Sequence, residues 1–180
     1  EKTATIGEKL SIRRFEKVAG DVAVSYIHGG GRIGVLVEAD TDVVNDDIKE
    51  ALKNVAMQIA ALHPQYVCDS EVPEEFKEHE IEIIKAQIAN DPKVAGKPEK
   101  VIEGMIQGKL NKELKEICLN DQVYVKAEDG KQSVAAYLAQ VGKANNAKLS
   151  VKKFVRFERG EGMEKKQENF AEEVAKQMNM

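Results

Sequence analysis

The sequence predicts an α+β fold: a three- to four-stranded, mainly antiparallel sheet packed against helices, a projecting antiparallel helical hairpin, and a C-terminal helix. Three observations carry this. Short β-alternating runs near the start are joined by glycine turns, which forces antiparallel neighbours because a parallel pair needs a crossover of a dozen or more residues. Two charged helical patterns in the middle are separated by the breaker NDPKVAGKP. A narrow helical stripe closes the chain.

The strands come first. Leu10–Val18, Val22–His28 and Arg32–Ala39 read as three strands, with Val22, Val24 and Tyr26 alternating against smaller or polar neighbours and Ile33, Val35 and Val37 doing the same. Gly20-Asp21 and Gly29–Gly31 are the turns. A helix follows from Asn45, a good N-cap with acids in its first turn, to about Ala61. Ile48, Leu52, Val55, Ala56 and Ile59 share one face. His63-Pro64 stops the helix, because the residue before proline is pushed out of the α region.

Pro73–Ala89 and Pro98–Leu119 are the two helices of the hairpin. Phe76, Ile83, Ile84 and Ile88 mark the stripe on one; Ile102, Met105, Ile106, Leu110, Leu114 and Ile117 mark it on the other. Two narrow stripes joined by a short breaker suit an antiparallel pair, a short coiled coil. A short strand is predicted at Val123–Lys126, a turn at Glu128-Asp129-Gly130, a helix at Ser133–Gln140 with Val134 and Leu138 inward, and a strand at Val151–Glu158 with Val155 and Phe157 in the core. The last helix, Glu164–Gln177, carries Phe170, Ala171, Val174, Ala175 and Met178 on one side.

Bulk properties narrow the function. The 180 residues suffice for one domain with a core, or one domain with an appendage. Net charge is −4, with 31 acids against 27 bases, which argues against a nucleic-acid binder working through a bulk positive field. No apolar run approaches the ~20 residues of a membrane helix, and no signal-peptide pattern opens the chain. It begins at Glu1 rather than Met, which suggests an upstream segment removed or left out. Cys68 and Cys118 stand 50 positions apart without CxxC or paired histidines, so they read as buried or half-buried thiols in a reducing compartment.

The sharper motifs mostly fail on context. Gly29-Gly30-Gly31-Arg32-Ile33-Gly34 satisfies GxGxxG, but a dinucleotide site needs a helix N-terminus next, and a strand follows. The stretch is a hairpin turn using glycine for positive φ. Its bare backbone lets a partner approach, and contact and plain turn stay equally open for His28 and Arg32. His79-Glu80 begins like HExxH, but Ile83 stands where the second imidazole belongs. Nothing specifies an active site, a metal or a cofactor. Lys152, Arg156, Arg159, Lys165 and Lys166 form a modest basic cluster, read first as a solvated surface and second as an RNA patch. The terminal stripe docks either on its own domain or in a partner's groove.

Several blocks, in order over nearly the whole chain, resemble the elongation factor Ts family: IGEKLSIRRFE, SYIHGGGRIGVLVE, VAMQIAALHPQY, GKPEKVIEGMIQGKLNKE and FVRFERGEGMEKKQENFAEEVA. The resemblance implies a translation factor that exchanges guanine nucleotide on elongation factor Tu, not an enzyme of bond chemistry, working in the cytoplasm. It implies residues 1–20 as the end of a preceding core subdomain, 21–162 as the C-terminal core subdomain with the hairpin at about 73–119, and 163–180 as a C-terminal helical module. Ile6, His28, Gly29, Gly30, Gly31 and Arg32 are then contacts near the GTPase domain. Val125 and Lys126 form a loop touching the partner's third domain, with Lys126 where an apolar side chain is common. Phe170, Val174 and Met178 dock on a GTPase-domain helix. The partner is elongation factor Tu, GDP-bound and nucleotide-free; no membrane and no direct nucleic-acid contact are expected, and homodimerisation stays open.

The chain departs from the family pattern in two ways. The family's Thr-Asp-Phe wedge has no counterpart, since Thr41-Asp42 is followed by Val43 in a different loop. The glycine turn is also one residue longer than usual. This predicts binding with weakened exchange; the alternative is a ribosome- or RNA-associated module without exchange activity.

Overall fold

A computed structural model describes residues 2–8, 12–92, 94 and 96–163 of the chain. The predicted C-terminal helix, with Phe170, Val174 and Met178, lies outside the described residues. Within them the order is α1 (Lys2–Ile6), β1 (Val22–His28), β2 (Ile33–Thr41), α2 (Asp46–Leu62), α3 (Glu74–Ala89), α4 (Glu99–Ile117), α5 (Val134–Ala144) and β3 (Leu149–Glu158), with a short 3₁₀ turn at Asp69–Glu71. The sheet runs β1-β2-β3, antiparallel throughout.

β2 is the central strand and is paired on both sides. Its Val35, Val37 and Ala39 are at most 2% exposed. They meet α2, whose Ile48, Leu52, Val55 and Ile59 are fully buried at the i, i+4, i+7, i+11 spacing of one helical face. Each such side chain contributes roughly 1.5–3 kcal/mol on burial, so this face dominates the helix's attachment. Asn45 caps α2, its Oδ1 accepting from Ile48 N at 2.9 Å, and His63 ends it in the left-handed region at φ 48°. Leu119, Tyr124, Val134 and Leu138 complete this core from the later segments.

The helical hairpin holds a second, separate cluster: Ile84, Ile88, Val94 and Leu110, flanked by Ile81, Ile102, Met105, Ile106 and Leu114. Lys109 Nζ donates to Gln87 Oε1 at 3.4 Å, while Glu113, further along α4, faces Glu80, earlier on α3. The two helices are therefore antiparallel. At the base, Gln65 N and Tyr66 N donate to Ile117 O, and Leu119 N donates to Tyr66 O, which stitches the hairpin to the end of α2.

Three expectations are corrected. The described part of Leu10–Val18 forms no strand: Ile12 and Phe15 are 88% and 84% exposed. The segment crosses the outer face of the sheet and is held by side chains instead of a ladder. The Arg14 guanidinium lies 4.4 Å over the Phe157 ring, Lys153 pairs with Glu16, and Ala19 N donates to Glu38. Val123–Lys126 is likewise no strand and makes a single bridge, Val123 to Ser133.

The third correction concerns β3. Register with β2 shifts between Glu38 and Ala39, so Ala39 faces Val151 while Glu38 faces Lys153. The extra residue, Lys152, reverses which side chains point at α2. Val151, Phe154 and Arg156 lie on the core side, and Val155 and Phe157 on the outer face. Arg156, opposite Val35, is consequently buried rather than solvated.

The helix expected at Ser133–Gln140 is present and one turn longer. Ser133 caps it through Oγ, which accepts from Ala136 N. Gly142 admits Ala147 O where a Cβ would sit only 2.7 Å away. The two thiols are free; Cys118 is buried, and burial pushes its pKa up to about 11, which keeps it protonated and unreactive.

Candidate functional site

The β1–β2 turn is built by backbone geometry. His28 pairs with Ile33, leaving Gly29–Arg32 as the loop. Gly29, Gly30 and Gly31 all have positive φ, at 59°, 63° and 91°. Three successive left-handed residues are accessible only to glycine without strain. A Cβ on Gly30 or Gly31 would meet nothing within 4 Å, so the demand is conformational rather than steric. Arg32 N closes the turn by donating to His28 O at 3.0 Å.

His28 sits at the exposed end of the strand face that carries Val22 and Val24 further down. Its Nδ1 lies 3.0 Å from Tyr26 Oη, with ring centroids 5.9 Å apart. Tyr26 thus orients the imidazole and is its one side-chain partner among the described residues. Ile27, on the other face of the strand, is 65% exposed. Imidazole and bare peptide groups are presented together at the tip, with the apolar Ile27 on its reverse face.

The end of β3 braces the turn. Arg32 Nη2 pairs with Glu158 Oε1 at 3.3 Å, and Arg156 Nη2 donates to Glu158 Oε2 at 2.8 Å. Arg159 N donates to Arg32 O at 2.8 Å. The Arg156 hydrogen bond, with Arg32 adding to it, holds the Glu158 carboxyl below the usual carboxylate range. Glu161 is lowered in the same way, chiefly by Arg14, which it meets at 3.1 Å. The C-terminal end of α2 reaches the same place: His63 shares a groove with Arg32, Arg156 and Arg159.

Val125 and Lys126 lie elsewhere, on a loop fastened to the middle of α2. Val125 N donates to Gln58 Oε1 at 2.8 Å, and Lys126 Nζ to Asn54 Oδ1 at 2.7 Å. Val125 is 49% exposed. Below it Tyr124 stacks on Tyr137 with centroids 4.1 Å apart, and Asn54 Nδ2 donates to Tyr137 Oη. Ile6 is on α1 and 55% exposed. The structure therefore brings His28, the glycines and Arg32 into one site, gives Val125 and Lys126 a second, and leaves Ile6 on a separate short helix.

Sequence reasoning missed Tyr26, Glu158 and Gln58 as supports. Tyr26 was visible as the i−2 neighbour of His28 on one strand face. Gln58 stood out as a polar residue on an otherwise apolar helix flank. Arg156 stood as the i−2 neighbour of Glu158, but the link of Glu158 to Arg32 had no local signal, because the two are 126 positions apart. Thr41-Asp42-Val43 forms a structural turn at the far end of β2. Thr41 Oγ1 donates to Val43 O, and Asp42 Oδ1 accepts from Lys148 N.

A sheet backed by helices, an exposed glycine turn braced from behind and a self-packed helical arm together define an α+β domain. Residues 1–161 match the family described as Elongation factor TS. The chain is 50% identical to an Elongation factor Ts of Clostridioides difficile (strain 630), over 98% of this chain and 57% of that protein. It is 47% identical to those of Clostridium botulinum (strain Eklund 17B / Type B) and Clostridium perfringens (strain 13 / Type A), with 97% and 98% of this chain covered. The chain belongs to the elongation factor Ts family, and it spans a little over half the length of these relatives.

Proposed function

We propose that this chain binds elongation factor Tu and promotes release of its GDP during translation in the cytoplasm. Family membership together with a turn held in one shape by its glycines and side-chain braces supports this reading; the turn is the observation that carries it. Three strained-for-others glycines, a tyrosine-oriented His28 and an Arg32 fixed by Glu158 lose little conformational freedom when a partner arrives. Such a factor works by differential binding. It shifts the nucleotide equilibrium only by the difference between its affinities for the empty and GDP-bound GTPase.

The contacts proposed are His28, Gly29–Gly31 and Arg32 toward the GTPase domain, with Ile6 alongside, and Val125 with Lys126 toward a second domain. Phe170, Val174 and Met178 would form the docking stripe of the C-terminal segment. Thr41-Asp42-Val43 has no part in it, since its polar groups are used within the fold. Exchange by this chain is accordingly expected to be weaker than by a full-length relative.

The RNA-associated alternative loses ground because, among the described members of the basic cluster, Lys152 pairs with Glu38 and Asp40 and Arg156 is buried against Glu158, which leaves Arg159 as the exposed one. The test is release of fluorescent GDP from elongation factor Tu as the chain is titrated in. Binding with slow release supports the proposal; absence of binding at micromolar concentrations overturns it, and release as fast as by a full-length relative overturns the assignment of weakened exchange.

A further inference from the structure

Arg32, His63, Arg156, Glu158, Arg159 and Glu161 line an open groove of about 480 Å³ beside the glycine turn. Its charges do not balance. Arg32 and Arg156 share one carboxylate, Glu158, the other wall carboxylate, Glu161, pairs with Arg14 from outside the groove, and the exposed Arg159 has no described ion pair. Three guanidiniums thus line the groove with two acids, in a chain whose net charge is −4.

Arg156 is the unusual member. Its side chain is 8% exposed, and only Nη2 is engaged, by Glu158. Nε and Nη1 are enclosed without an acceptor among the described residues. Buried donors are seldom left unpaired in a folded protein, and where they are, a ligand-binding role is one of the explanations. Nε lies on the same edge of the guanidinium as Nη2, the edge that a carboxylate can bridge with both oxygens. Glu158 uses half of that edge because its other oxygen is turned to Arg32.

We propose that this groove receives an acidic side chain of the protein partner that contacts the glycine turn. The incoming carboxylate meets Arg159 at the rim and takes the Nε edge of Arg156 as Glu158 turns toward Arg32. The inference rests on the reading of the chain as a binder of elongation factor Tu. A single carboxylate fits better than a nucleic-acid backbone: Glu158 and Glu161 remain on the walls and would repel successive phosphates.

The experiment measures association and dissociation of elongation factor Tu at low and high salt, for the wild-type chain, Arg159→Gln, Arg156→Gln and the remote control Lys100→Gln. Arg159→Gln is expected to weaken binding about three- to tenfold, mainly by slower association, and to flatten the salt dependence. Arg156→Gln is expected to weaken it about tenfold or more, mainly by faster dissociation. Its fold is checked by circular dichroism; Arg159, being exposed, tests the groove even where that variant is unstable. Failure of the wild type to bind overturns the parent reading as well. Wild-type binding that Arg159→Gln leaves unchanged, or that Lys100→Gln weakens equally, overturns the groove alone. So does loss of binding to an RNA oligonucleotide on Arg159→Gln with elongation factor Tu binding intact.

Discussion

Gln58 of α2 and Gln122 are buried side by side, with Gln58 Nε2 donating to Gln122 Oε1 at 3.2 Å. The pair replaces the strand pairing that the sequence led one to expect at Val123–Lys126. Gln58 also donates to Val123 O and accepts from Val125 N, while Gln122 Nε2 donates to Glu116 O. Two amide side chains thus satisfy backbone groups that a sheet would otherwise pair. Gln58→Leu keeps the volume but orphans Gln122 Oε1, Val123 O and Val125 N. A loss of about 1–3 kcal/mol is expected in urea unfolding. Partner binding should weaken with it, since Val125 is freed; equal stability would show that the network is dispensable.

The glycine turn separates folding from recognition. Gly30→Val places a β-branched residue at φ 63° and should cost about 1–2 kcal/mol in thermal or urea unfolding. Gly30→Asn, which tolerates the left-handed region, should cost much less. His28→Ala should leave the melting temperature within a degree or so and weaken binding to elongation factor Tu, because the imidazole is exposed and its one described partner is Tyr26. An unchanged dissociation constant would reduce the turn to a structural hairpin.

The sequence made local order visible and long-range side-chain contacts invisible. The β1–β2 hairpin, α2 with its Asn45 cap and Pro64 stop, and the paired helices rest on patterns within about twenty residues. The failures share a cause. Leu10–Val18 and Val123–Lys126 alternate as strands do, but whether an alternating run finds a ladder depends on a free sheet edge. In one case Arg14 and Phe157 hold the segment, in the other Gln58 does. Val155 and Phe157 were misplaced by a single bulge residue, because one extra residue inverts every later side chain on a strand. Within the site, His28 and the glycines were legible; Glu158 and the burial of Arg156 followed only from the register of β3 against β2.

Acid stability should report on the helical hairpin. Glu113 on α4 is half-buried, with Oε2 enclosed and without a donor among the described residues, and it faces Glu80 on α3. Burial, then the Glu80 carboxylate, push its pKa above the usual range; Glu116 adds to this and Lys109 opposes it. A raised carboxyl pKa means that the folded state holds the proton more tightly. The favourable contribution is full below the unfolded value near 4.5 and is lost as pH rises through the folded one. Glu113→Gln should therefore stabilise the protein at pH 7 by about 0.5 kcal/mol, the scale of a partly exposed charge pair, and change little at pH 4. A Tm gain that is the same at both pH values would assign the effect to packing rather than titration.

The hairpin should be removable, provided the cut respects its base. Its cluster of Ile84, Ile88, Val94 and Leu110 is separate from the sheet core, so α3 and α4 stabilise chiefly each other. Cys118 and Leu119, by contrast, are fully buried, and Leu119 belongs to the sheet core. Tyr66 meets Phe76 edge-on, and Lys77 pairs with Asp69 at 3.1 Å. Replacing Glu78–Glu113 by a short glycine-containing turn keeps these contacts and should preserve a cooperative melt within a few degrees of the parent. Extending the deletion to Leu119 opens the space that Leu119 fills and should cost about 2–5 kcal/mol more. Loss of cooperative unfolding in the shorter deletion would mean that the two clusters fold as one.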